Sequence, residues 1–349
     1  MDRPLVVSED PDLIDELVRL AAANAVEVHV ATDAEAARSR WSLAPLVLVG
    51  VDLAARVAGM RPERRRDVVL VGRQLVEADW RRAVTLGAEY VASLPEAERW
   101  VIDRLADSGE GPPSNGLVVA VMSTGGGAGA STFAATLAGI AAEECRVLLV
   151  DLDPSAGGLD VLVGREGSPA TRWEELAATR GRLSPVSLRQ ALPEWAGVSL
   201  LSWGRAGSGR VDIEPLASVI DAGERGFDLV VLDVARWLDP ATELALARSH
   251  RTVLVTSATV RGVSAAAGLN EVLGDRCASL ALVTRRHPGG VSPESVVESI
   301  ELPTLGDLPH VPALARRCES GEGPALHGSY ARAVRRIVPQ LGDTHRRVR

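Results

Sequence analysis

Leu117-Val118-Val119-Ala120-Val121-Met122 runs directly into Ser123-Thr124-Gly125-Gly126-Gly127-Ala128-Gly129-Ala130-Ser131-Thr132, and then into Phe133 to Ala142. A short, unbroken apolar run rich in valine predicts a strand covered on both faces. The glycines that follow permit a tight turn and close approach of main chain to a ligand. The last segment has helical composition. Strand, glycine-rich turn and helix in that order predict a phosphate cradle: main-chain N–H groups curl around an anion, and the helix N-terminus adds a favourable dipole. The candidate nucleotide-binding residues are therefore Gly126, Gly127, Gly129, Ala130, Ser131 and Thr132.

Further motifs follow in order. Val147-Leu148-Leu149-Val150-Asp151-Leu152-Asp153-Pro154 is a strand ending in paired aspartates, followed by Gly158-Leu159-Asp160. Phe227-Asp228-Leu229-Val230-Val231-Leu232-Asp233 is a second strand ending in an acid. Apolar strands at Thr252 to Thr256 and Leu280 to Thr284 come next, then Gly306-Asp307-Leu308-Pro309 and Ser320-Gly321-Glu322-Gly323-Pro324. Taken together, residues 117 to about 340 resemble the MinD/ParA branch of P-loop proteins. The resemblance implies a doubly wound parallel α/β sheet with ATP and Mg²⁺ as ligands. It makes Ser131 the hydroxyl on the metal, Asp233 the carboxylate that orients it and Asp151 a support for the metal's waters. Asp153 would position the attacking water.

Two lysines that this family carries are missing. Gly125 stands where a lysine reaches across the dimer to the partner's phosphates, and Ala130 where a lysine contacts the β- and γ-phosphates. The chain contains no lysine anywhere, so all 38 basic residues are arginine. Val234-Ala235-Arg236-Trp237 lacks the family's switch glycine, and Thr284-Arg285-Arg286 replaces an adenine-recognising asparagine. These departures imply weak nucleotide binding and little or no ATP hydrolysis. The alternative is a slow, dimeric ATP-hydrolysing switch in which an arginine such as Arg205, Arg210 or Arg236 replaces the lysines.

Residues 1–107 alternate short strands (Leu5 to Val7, Val26 to Val30, Leu46 to Val51, Val68 to Val71, Tyr90 to Ala92) with helical segments such as Leu13 to Ala22 and Trp80 to Leu86. Alternation of this kind requires parallel strands with crossover helices. Five such units resemble a receiver domain, a flavodoxin-like sheet, but without its chemistry. Gly50 replaces the phosphorylated aspartate, Leu94 the lysine, and Asp52 lies two residues beyond the strand end. The expected role is a pseudo-receiver that docks a partner or its own P-loop domain; phosphorylation at Asp52 is the weaker reading. Residues 108–116 read as a linker, 117–341 as the P-loop domain, and 342–349 as a disordered tail.

The net charge of −8 argues against non-specific nucleic-acid binding; Arg285, Arg286, Arg316 and Arg317 are local candidates for DNA, with a solvated surface the favoured reading. Three cysteines without metal-ligand spacing, and no apolar run of membrane-spanning length, suggest a reduced cytoplasmic setting. Tyr330, Val334, Ile337 and Val338 form an apolar stripe opposite Arg332, Arg335 and Arg336. That stripe is weak support for a peripheral membrane helix, which Pro339 would end; packing on its own domain is favoured. The two-domain layout with a Gly-Ala-Ser-Thr P-loop resembles septum-site-determining, CpaE-like members of the MinD/ParA family. That resemblance implies partners among cell-division, pilus or secretion proteins, and a homodimer as the expected assembly.

Overall fold

The computed structural model describes residues 3–23, 26–109, 115–177, 183–204 and 210–342. Residues 110–114 of the expected linker, Arg205, and 343–349 of the expected tail lie outside the described residues. Two compact units are present, Met1–Pro113 and Ser114–Arg349.

The first unit holds β1 (Leu5–Val7), β2 (His29–Ala31), β3 (Val47–Gly50), β4 (Val68–Gly72) and β5 (Tyr90–Ser93), all parallel in the order β2-β1-β3-β4-β5. The apolar runs of β1, β3 and β4 are buried on both faces. Val7, Val49 and Leu70 feed one core, and Val6, Leu48 and Val69 the other. Its last helix, Glu98–Gly109, continues two residues into the expected linker.

The second unit contains β6 (Leu117–Ser123), β7 (Val147–Asp151), β8 (Glu194–Trp195), β9 (Val198–Leu201), β10 (Leu229–Val234), β11 (Arg251–Ser257), β12 (Leu280–Arg285) and β13 (Thr304–Leu308). Their order is β13-β12-β11-β6-β10-β7-β9-β8, and every pairing is parallel except β8 with β9. β6 lies between β10 and β11, so the chain leaves it in opposite directions; ligands bind at the carboxyl ends of strands beside such a reversal. Val119 and Val121 face a core built on the helix Ala130–Ala141, while Val118, Ala120 and Met122 face a second one with Trp173 and Phe227.

Gly306-Asp307-Leu308 lies within β13. The hairpin of β8 and β9 was not expected; it turns on Ala196 and Gly197, at φ 50° and 80°. The final helix, Gly328–Leu341, includes Pro339 rather than stopping there. Gln340 Nε2 donates to Arg336 O at 2.8 Å and Leu305 O at 3.1 Å, fastening the last turn. The apolar side of this helix (Tyr330, Val334, Ile337, Leu341) is buried in the core of its own unit. Among the described residues no helix is long and apolar enough to cross a membrane.

Candidate nucleotide site

The glycine-rich turn is held from below by its neighbour strand. Thr124 N donates to Val255 O at 3.1 Å, and Thr124 Oγ1 donates to Thr256 Oγ1 at 2.9 Å. Ala128 N closes a turn on Gly125 O at 3.2 Å. Gly127 (φ 72°) and Gly129 (φ 94°) occupy the left-handed region that other residues enter at a cost. Gly129 caps the helix Ala130–Ala141, whose first turn carries Ala130, Ser131 and Thr132. The first N–H groups of a helix have no partner inside it, so they are free for an anion. No atom lies within 4 Å of the place a Cβ would take on Gly125 or Gly126.

Opposite the loop stand the acids. Asp233 and Asp151 are register partners on adjacent parallel strands, so their carboxyl groups lie side by side. Ser131, from the first turn of the helix, lines the same cleft as Asp233, and its hydroxyl favours the charged form of that carboxyl. Asp151 Oδ1 accepts from Asp153 N at 3.1 Å, and its Oδ2 accepts from Leu159 N and Ser202 Oγ, both at 2.8 Å. Ser202 Oγ also lies 3.3 Å from Asp160 Oδ1, and Asp160 pairs with buried Arg172 at 3.5 Å. Asp153 Oδ1 accepts from Ser155 N at 2.9 Å. A cleft of about 240 Å³ opens between Ser131, Asp151, Gly158, Asp233 and Cys318.

Burial pushes the Asp233 carboxyl up to about 8, helped by the negative charges of Asp151 and Asp153. Burial likewise raises Asp151 to about 6, partly offset by its three hydrogen-bond donors. Such acids take a cation readily, since a metal displaces the proton and removes the charge deficit. Among the described residues no group of three or more His, Cys, Asp or Glu side chains is arranged as a metal site. The donor set of Ser131 hydroxyl and Asp233 carboxylate fits Mg²⁺, a hard ion that takes one or two protein oxygens and completes its shell with phosphate and water.

The arginines fall differently from expectation. Arg210 and Arg236 are exposed. The guanidinium that lies on the glycine loop is that of Arg285, whose Nη2 donates to Gly127 O at 2.8 Å. Of the four arginines considered for DNA, Arg286 pairs with Asp307, Arg317 pairs with Glu322 and Arg285 is turned to the glycine loop, so three of the four are neutralised or engaged. Ser202 and Arg172 were missed by sequence reasoning because each reaches the site from a distant strand or loop; Arg285, expected only as a replacement for the adenine-recognising asparagine or as a candidate for DNA, touches the glycine loop.

In the first unit, Asp52 folds back onto the carboxyl end of β1. Its carboxylate accepts from Ser8 Oγ at 3.0 Å and from Glu9 N at 2.6 Å. A Cβ on Gly50 would collide with the Asp52 carboxylate and the Ser8 hydroxyl. Asp52 therefore fills the space of the absent residue-50 side chain. Leu94, at the position of the expected lysine, is buried. Gly50→Asp alone is expected to lower stability by about 1–3 kcal/mol, and Gly50→Asp with Asp52→Ala to recover most of it. Equal melting of the single and double variants would contradict this packing.

Strand, glycine loop, hydroxyl and paired strand-end acids define a P-loop nucleotide-binding fold. Residues 119–324 match the CobQ/CobB/MinD/ParA nucleotide binding domain, and residues 7–116 match the Rv3660c-like, CheY-like N-terminal domain. The chain belongs to the MinD/ParA family and carries a CheY-like N-terminal domain. Rv3660c of Mycobacterium tuberculosis is 40% identical over 344 residues, 96% of this chain and 97% of that one. A protein of Chlorella vulgaris named putative septum site-determining protein MinD is 27% identical over 246 residues, covering 64% of this chain and 86% of its own. MinD of Pyrococcus horikoshii, solved with Mg-ADP, shares the fold with a TM-score of 0.56 at 20% identity, over 66% of this chain and 97% of that one.

Proposed function

We propose that the chain is a MinD/ParA-like spatial regulator of septum placement in cell division, or of the placement of pilus or secretion machinery. It works through protein contacts and turns ATP over slowly or not at all. One observation carries the reading: the cradle and the Ser131–Asp233 pair are kept, while positions 125 and 130 bear no cation. The Mg-ADP bound by Pyrococcus MinD and the septum-site name of the Chlorella relative support the ligand class and the process. In this reading Gly126, Gly127, Gly129, Ala130, Ser131 and Thr132 surround the phosphates with main-chain N–H groups. Mg²⁺ would be held by Ser131 and Asp233, with Asp151 behind its waters. Asp153 would position the attacking water only in the rival reading, in which the chain hydrolyses ATP. The pseudo-receiver docks a partner protein, and two copies of the chain form the working dimer. The protein is cytoplasmic and reaches the inner face of the membrane through partners, because the apolar side of its last helix is buried.

Phosphate release from Mg-ATP, compared with an Asp153→Ala control, tests the catalytic half. The expected result is the same background rate for both. Turnover that Asp153→Ala abolishes would establish the rival reading, a slow ATP-driven dimer. A fluorescent fusion at the native locus tests the cellular half: expected is accumulation at division sites or cell poles, and uniform fluorescence counts against it.

A further inference from the structure

Two lysines are gone from the cleft, yet one cation lies on its glycine loop. Arg285 ends β12, beside Ser257 of β11 in the sheet register. Besides its 2.8 Å bond to Gly127 O, its Nη1 and Cδ atoms lie 3.6 Å from where a Cβ on Gly129 would sit. Gly127 and Gly129 are the two loop residues with left-handed φ, so the guanidinium spans the bend that shapes the cradle. No carboxylate pairs with Arg285 among the described residues, whereas its neighbour Arg286 has Asp307. Arg285 Nε is buried without a hydrogen-bond partner. Tyr330, 4% exposed on the final helix, also has a hydroxyl without a partner, and its phenol feels the Arg285 charge.

A guanidinium offers five N–H donors and cannot be deprotonated in a protein. Here it is pressed against main chain with no counter-charge. An anion arriving in the cradle supplies what is missing, and a charge-assisted bond to phosphate is roughly twice as strong as a neutral one. We propose that Arg285 is the phosphate-gripping cation of this site, holding a nucleoside di- or triphosphate in place of the lysines absent at 125 and 130. The proposal rests on the nucleotide reading above.

Equilibrium dialysis of the full chain with Mg-ADP and, separately, Mg-pyrophosphate tests it in the native protein and in Arg285→Ala, Arg285→Lys and Arg286→Ala. Thermal melts confirm that each variant folds. Expected is a loss of at least about 10-fold for both ligands in Arg285→Ala. Arg285→Lys should recover part of it, and Arg286→Ala should bind as the native chain does. Unchanged affinity in Arg285→Ala overturns the proposal and leaves the nucleotide reading standing. A loss confined to ADP overturns it by assigning Arg285 to the base or ribose, and tighter binding in Arg285→Ala overturns it by making the side chain a plug. Failure of the native chain to bind either ligand brings down the nucleotide reading and the proposal with it.

Discussion

Ala130→Lys is expected to tighten Mg-ATP binding by about 10- to 100-fold, the equivalent of roughly 1.5–3 kcal/mol for one charge-assisted contact to phosphate. Ala130 is the first residue of the P-loop helix, directly after Gly129, so a lysine there starts beside the cradle's own N–H groups. The surrounding geometry is already built: positive φ at Gly127 and Gly129, the loop tied to β11 through Thr124, and Ser131 in one cleft with Asp233. Only charge has to be added. Gly125→Lys has open space around its new Cβ, and the family resemblance gives that position to the partner's phosphates. Its effect should therefore appear in turnover of the double variant more than in affinity. Isothermal titration and phosphate release check the two parts separately. Unaltered affinity in Ala130→Lys, in a protein that melts normally, would mean that the cradle itself has lost its shape.

Asp233→Asn is expected to stabilise the metal-free protein at alkaline pH and to remove the response of its melting temperature to Mg²⁺ with nucleotide. Both Asp233 and Asp151 have folded-state values above the ordinary carboxylate value of 3.8, at about 8 and about 6. The folded chain thus holds protons that the unfolded chain has released. Their contribution to stability is complete below pH 4 and is lost as pH rises through 6 and then 8. The loss is at most about 1.4 kcal/mol per pH unit for each group. Asparagine keeps the shape of Asp233 and has no proton to lose, so the upper part of the decline, between about pH 6 and pH 8, should flatten. In the native protein, loading with Mg-nucleotide at pH 7 should release protons, which titrations in buffers of different ionisation enthalpy would count. A melting profile of Asp233→Asn parallel to the native one across pH 6–9 would contradict this account of the acid pair.

The parts of the site that sequence reveals are those set by neighbours in the chain. Leu117 to Ser123, the glycine turn and the helix after it are contiguous, and a buried parallel strand reads as an unbroken apolar run. Asp233 and Asp151 are legible because each ends such a run. The contact of Arg285 with a carbonyl 158 residues away was not legible, since it depends on β12 lying two strands from β6. Ser202 meets Asp151 because β9 pairs with β7, which no local pattern encodes. Asp52 was visible as an acid just past a strand; its return to Ser8 across 44 residues was not. Pro339 misled for the opposite reason: a local rule for ending helices was overridden by burial of Ile337 and Leu341 and by the hydrogen bonds of Gln340.

Calorimetric titration of the unaltered chain with Mg-ATP at neutral pH is the most direct test of a degenerate site. A dissociation constant weaker than about 100 µM, with no hydrolysis over hours, is the predicted outcome. Binding about a hundred times tighter, accompanied by steady phosphate release that depends on Asp153, would contradict it.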